Sequence, residues 1–148
     1  MKNWDKYFIN IVKMVAEDNN SCLRQKVGCL LVRNDNTIIS TGYNGAPKDI
    51  VSCGEKNECY RIKNNIISGT KQELCFAVHA EQNALIFAAR HGLSTLNSKC
   101  YVTLQPCVIC LKLLIQAGIK EIIYINKYNI EFEHYYDIAK NVILKQYK

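Results

Sequence analysis

Two short strings in this 148-residue chain carry side chains suited to metal-assisted hydrolysis: His79-Ala80-Glu81, and Pro106-Cys107-Val108-Ile109-Cys110. An imidazole nitrogen and two thiolates are good zinc ligands, and three protein ligands leave the fourth tetrahedral position open for water, which marks a catalytic rather than a structural site. Zinc lowers the pKa of such a water from about 15.7 to about 7. Glu81, two residues from His79, could take the water proton and pass it on without entering the coordination sphere. Each fragment alone has a plainer meaning, since a Cys-x-x-Cys pair can be a redox couple or half a structural zinc knot, and a lone histidine an ordinary hydrogen-bonded one. The occurrence of both strings, with Glu81 and Pro106 in place, favours catalysis.

Both strings fall where a helix should begin, so two helix N-termini are expected to converge on one metal. Residues 81–89 have helical propensity and an apolar face, and close at His91-Gly92, with His91 as a cap and glycine suited to a left-handed end. Pro106 suits the first turn of a helix over 106–117. There Cys107 and Cys110, three apart, can turn both sulfurs to one point, where the helix dipole stabilises thiolates.

The rest of the chain must hold those starts in place. Trp4, Tyr7, Phe8, Ile11, Val12, Met14 and Val15 predict a helix over 4–18, ended by Asn19-Asn20-Ser21. β-rich runs at 27–32 and 37–43 flank Asn34-Asp35-Asn36, a hairpin turn. Residues 44–73 show no clear period and predict a long irregular segment, with a short helix near 61–67; such loops are usually functional or stapled by metal. A strand at 99–103, the helix at 106–117, a strand at 121–125, a helix near 131–139 and a last strand at 142–144 complete the pattern. An opening antiparallel hairpin followed by alternating strands and helices implies an α/β fold, a three-layer α/β/α sandwich around a mixed five-stranded sheet.

The length fits a single domain over 1–148, and 49% hydrophobic with 22% charged residues argues against disorder. The longest apolar stretches, 84–89 and 108–115, fall well short of the roughly 20 residues that cross a bilayer. The first residues lead into an amphipathic helix carrying Asp5 and Lys6 rather than into the apolar block of a signal peptide, so a cytoplasmic location is expected. Eight cysteines in such a chain are then thiols or metal ligands rather than disulfides. The net charge of +6 is scattered, which suggests a small phosphate as readily as RNA, or merely a solvated basic surface.

His-x-Glu with Pro-Cys-x-x-Cys is the signature of zinc deaminases, and the sequence resembles the cytidine and deoxycytidylate deaminase family, most closely its deoxycytidylate (dCMP) branch, including the bacterial late-competence deaminases. The resemblance takes in Ser21-Cys22, Val27-Gly28, Ser40 to Pro47, His79 to Ala84, Tyr101 to Thr103, Pro106 to Cys110, Gln116 to Lys120 and Asn126-Lys127-Tyr128. It implies a cytidine deaminase-like fold with zinc on His79, Cys107 and Cys110, Glu81 as proton shuttle, and hydrolysis of dCMP to dUMP and ammonia. The zinc strings are shared with cytidine, guanine and tRNA adenosine deaminases, so the branch rests on Gly42-Tyr43-Asn44-Gly45 followed by Cys53. By the same resemblance Asn44 contacts sugar or base, and Arg24 and Tyr128 the 5′-phosphate; read without it, Asn44 is a turn residue and Arg24 a surface arginine. Members assemble, often as hexamers, and some respond to dCTP and dTTP.

Cys29 and Cys100 lie in strand patterns and read as core. Cys22, Cys53, Cys59 and Cys75 surround the irregular segment, and four such thiolates could close a structural zinc. Some dCMP deaminases carry a second zinc whose ligands resemble Cys22 and Cys53, whereas Cys59 and Cys75 match less clearly; the alternative is four unpaired thiols. Two other functions stay open: a tRNA adenosine or free-nucleoside deaminase sharing the metal set, and a competence-associated nucleotide sensor that retains the fold but lacks turnover.

Overall fold

A computed structural model describes all residues from 1 to 148. Helix α1 (Trp4–Glu17) starts on Asn3, whose side chain accepts the Lys6 N–H, and leads into the hairpin of β1 (Gly28–Val32) and β2 (Ile38–Tyr43). Two four-residue helices follow, α2 (Cys53–Lys56) and α3 (Tyr60–Lys63), then α4 (Ala80–Arg90), β3 (Lys99–Leu104), α5 (Val108–Gln116), β4 (Glu121–Asn126), the single turn α6 (Tyr135–Ile138) and β5 (Ile143–Gln146).

The strands make one sheet in the order β2-β1-β3-β4-β5. β1 is antiparallel to β2 and to β3, whereas β3, β4 and β5 run parallel, giving the mixed sheet expected. Central β1 is buried on both faces, and its alternation sorts the core. Leu30 and Val32 join Phe8, Ile9 and Val12 of α1, while Cys29 and Leu31 join alanines of α4 and Leu111 and Leu114 of α5. The chain is thus a three-layer α/β/α sandwich with α1 alone on one face. Cys29 and Cys100 are both fully buried, their sulfurs 3.5 Å apart and unbonded.

The structure corrects three expectations. The helix expected over 131–139 contracts to α6 and a following 3-10 turn, because only Tyr135 and Ala139 of it are buried and no side chain caps its start. The short helix near 61–67 is α3, which stops at Asn64 before Asn65 takes a positive φ of 52°. Pro106 lies outside α5 rather than in its first turn, since Cys107 is the N-cap. Gly92 does adopt the left-handed φ of 65° after the α4 C-cap at His91. No helix is long and apolar enough to cross a membrane.

Candidate active site

Helix α4 is pressed onto β2 by residues whose types suit close contact. A Cβ on Gly42 would lie 2.3 Å from the Ala80 carbonyl oxygen and 2.5 Å from the Ala84 nitrogen, so only glycine admits the helix backbone at this distance. Ser40 Oγ donates to the Ala84 carbonyl at 2.7 Å, and Asn83 Nδ2 donates to that of Tyr43 at 2.7 Å. Gln82 reaches back to accept the His79 backbone N–H at 2.9 Å. Ala80, Gln82 and Asn83 thus seat the helix, which leaves the His79 imidazole and the Glu81 carboxyl to face the site.

The start of α5 is held from beneath. Tyr135, fully buried, donates its hydroxyl to the Pro106 carbonyl at 2.7 Å. Cys107 uses its sulfur as the N-cap acceptor for the Cys110 N–H at 3.5 Å. Its neighbour Gln105, also buried, accepts the Tyr128 backbone N–H at 3.4 Å and so ties the chain after β4 to the same rim.

The two helix starts bring His79, Cys107 and Cys110 together, with His79 Nδ1 3.6 Å from Cys107 Sγ and 3.3 Å from Cys110 Sγ, and all three ligand atoms within 4.8 Å of one another. Bond lengths of about 2.3 Å to sulfur and about 2.0 Å to nitrogen put the N–S edge of a zinc tetrahedron at about 3.5 Å. The donor set and its spacing therefore fit zinc. The Cys107 thiol is held down at about 4, first by the hydrogen bond from Cys110 and then by that with His79, and Cys110 is raised in turn because it keeps the shared proton. The hydrogen bond with Cys107 raises His79.

Glu81 stands beside this set with 5% of its surface exposed. Burial raises its carboxyl to about 7, against some opposition from its own backbone N–H. Near neutral pH such a group can both accept and give a proton.

His79, Glu81 and Cys107 line a cavity of about 910 Å³, counting its open mouth, with Cys110 fully buried behind them. Asn44, Arg24, Tyr128 and the cysteines at 22, 53, 59 and 75 line it as well, so the candidate substrate and second-zinc residues share one cavity with His79, Glu81 and Cys107. Asn44 is nevertheless mostly occupied: its Oδ1 accepts from Asn19 Nδ2 at 2.7 Å and from the Val27 N–H at 2.8 Å, and its Nδ2 donates to the Gln25 carbonyl at 2.8 Å. One amide proton is left for a ligand. The four thiols gather around Cys53, whose pKa rises through burial and then through Cys59, Cys75 and Cys22, but they are not drawn to the mutual separation of the His79 set. Sequence reasoning missed Arg61, Gln105 and Tyr135. Arg61 sits in a stretch without periodicity and Tyr135 in a helix that mostly does not form, so neither carried a local signal.

A family model described as the cytidine and deoxycytidylate deaminase zinc-binding region matches residues 2–126. The chain is 37% identical over 147 residues to a deoxycytidylate deaminase of Schizosaccharomyces pombe, a match that spans 98% of this chain and 44% of the relative. It is 35% identical over 127 residues to a deoxycytidylate deaminase of Mycobacterium phage D29, spanning 82% of this chain and 94% of the phage protein. Its fold is similar to that of a dCMP deaminase from cyanophage S-TIM5 in complex with dCMP and dUMP, with a TM-score of 0.79 and 27% identity over 99% of both chains. The chain spans less than half the length of the two yeast relatives it matches.

Proposed function

Because the chain belongs to the cytidine and deoxycytidylate deaminase family, we propose that it hydrolyses dCMP to dUMP, the dTMP precursor, with release of ammonia. The observation that carries this reading is the buried Glu81 beside a His79, Cys107 and Cys110 set of zinc dimensions, where Glu81, His79 and Cys107 line one cavity. We assign the zinc to those three residues. When bound, zinc supplies a water of lowered pKa and positive charge next to it. Glu81 would take a proton from the attacking water and give it to N3 of the base, which makes C4 more electrophilic, and then carry the water's second proton to the amine, so that a C4–O bond replaces the C4–N bond as ammonia leaves. Asn44 orients sugar or base through its one spare amide proton, and Arg24 and Tyr128 face the 5′-phosphate.

Purified protein offered dCMP, deoxycytidine, guanine and a tRNA anticodon stem, with ammonia measured, tests the substrate. Release from dCMP is expected; release from RNA and not from dCMP would replace this reading with a tRNA deaminase, and release from none would leave the nucleotide-sensor alternative.

We further propose a second, structural zinc on Cys22, Cys53, Cys59 and Cys75. Its support is the grouping of the other three thiols about Cys53, and two backbone N–H groups, of Arg24 at 3.4 Å and Gln25 at 3.5 Å, that donate to Cys22 Sγ as they would to a thiolate ligand. Metal analysis finding one zinc per chain in intact protein would remove it. Eight free cysteines suit a reducing compartment, and we place residues 1–148 as one cytoplasmic deaminase domain. Family resemblance supports homo-oligomers, hexamers among them, and dCTP and dTTP as effectors; light scattering and assays with each nucleotide test both.

A further inference from the structure

We infer that Arg61, with Arg24, forms the seat of the substrate's 5′-phosphate and that Arg61 makes the site prefer a nucleotide to a nucleoside, an inference that rests on the dCMP reading above. Two buried side-chain polar atoms in the chain lack a hydrogen-bond partner, Arg24 Nη1 and Arg61 Nε. Both belong to residues lining the cavity that holds His79 and Glu81. Arg61 is only 8% exposed, and no carboxylate pairs with either guanidinium.

The two cations are braced against one turn. Arg24 Nη2 donates to the Ile66 carbonyl at 2.6 Å, and Arg61 Nη2 donates to those of Ile67 at 3.3 Å and Thr70 at 2.8 Å. Consecutive carbonyls thus bring two like charges close together out of water, an arrangement that is costly until an anion joins them. Each guanidinium keeps part of its donor fork free, and that fork matches phosphate oxygens better than a point charge does. The same turn leans on Tyr128: a Cβ on Gly69, at φ +83°, would come within 2.8 Å of the Tyr128 hydroxyl. Cys22 and Cys59 each stand two residues before these arginines, so thiolates are the competing counter-charge.

Steady-state kinetics of the full, zinc-loaded chain on dCMP and on deoxycytidine decide between them, with Arg61→Gln and Arg61→Lys. Arg61→Gln should lower kcat/KM for dCMP about 100-fold, chiefly through KM, and reduce the preference for dCMP over deoxycytidine by a similar factor. Arg61→Lys, which keeps the charge but not the fork, should fall about 10-fold. Equal losses on both substrates, or loss of zinc alongside them, would overturn the seat and leave Arg61 as a brace of the loop or a partner of thiolates. Should the unaltered chain deaminate neither compound, the dCMP reading fails, and calorimetry with dUMP and deoxyuridine still judges the seat. Tighter binding of dUMP that Arg61→Gln abolishes supports it; equal binding of the two refutes it.

Discussion

The paired helix starts and the segment 44–78 that faces them across the cavity are built in opposite ways. At the helix starts the backbone is fixed by regular structure, two of the three proposed ligands, His79 and Cys107, are N-caps, and neighbouring side chains seat the helices through Gly42, Ser40, Asn83 and Tyr135. The loop has two four-residue helices and positive φ at Asp49, Asn57, Asn65, Gly69 and Lys71. Its buried side chains are Ser52, Cys59, Arg61 and Ile66, of which one is aliphatic. Packing holds the first region, whereas side-chain hydrogen bonds to carbonyls brace the second. On the proposed function, reaction chemistry, which needs placement within a fraction of an ångström, sits on the packed side, and selection of a ligand, which tolerates more, sits on the loop.

That division predicts how damage on either side will read out. The largest effect should come from Glu81→Gln, which keeps shape and burial but removes the proton carrier: kcat for dCMP falls at least about 10³-fold while zinc content is retained. Turnover within tenfold of the unaltered chain would take Glu81 out of the mechanism. Gly42→Ala comes next and tests packing alone. Its new methyl would meet two backbone atoms of α4 inside 3 Å, so the helix must shift, at a cost of about 3 kcal/mol in denaturant unfolding and with weaker zinc retention. An unchanged midpoint would show that α4 is seated by something other than this contact.

On the loop side, Cys53→Ser should remove about one zinc per chain and raise protease sensitivity within 44–78, while the zinc on His79, Cys107 and Cys110 stays. Metal analysis together with limited proteolysis reads both. Loss of all zinc would mean that the two regions are not independent.

The helix starts were legible in the sequence because their information is local: a histidine, a carboxylate two residues on, and cysteines three apart are read without knowing what packs where. The sheet was legible for the same reason, through alternation at 27–32 and 37–43 and the turn between them. Arg61 was not, because its role depends on carbonyls six and nine residues away and on Arg24, which is tied to the loop across 42 residues. Asn44 was legible as important but not for its principal role. Its side chain makes three bonds that fasten the end of α1 and the entry to β1 to the end of β2. Pro106 was placed one step too far into its helix, since a sulfur can act as N-cap acceptor and propensity alone does not anticipate that.

The smallest expected effect lies farthest from the substrate and bears on how stiff the packed side is. Tyr135 is the one buried residue of α6, and its hydroxyl is the donor to the carbonyl immediately before Cys107. Tyr135→Phe keeps the ring and removes that single bond, so unfolding free energy should drop by about 1 kcal/mol. If the start of α5 is rigid, the Pro106 carbonyl stays in place unpaired, zinc remains bound, and kcat falls only a few-fold with the preference for dCMP over deoxycytidine untouched. A change in that preference would instead show that strain entering beneath Cys107 reaches the loop, and that the cavity's two walls move as one.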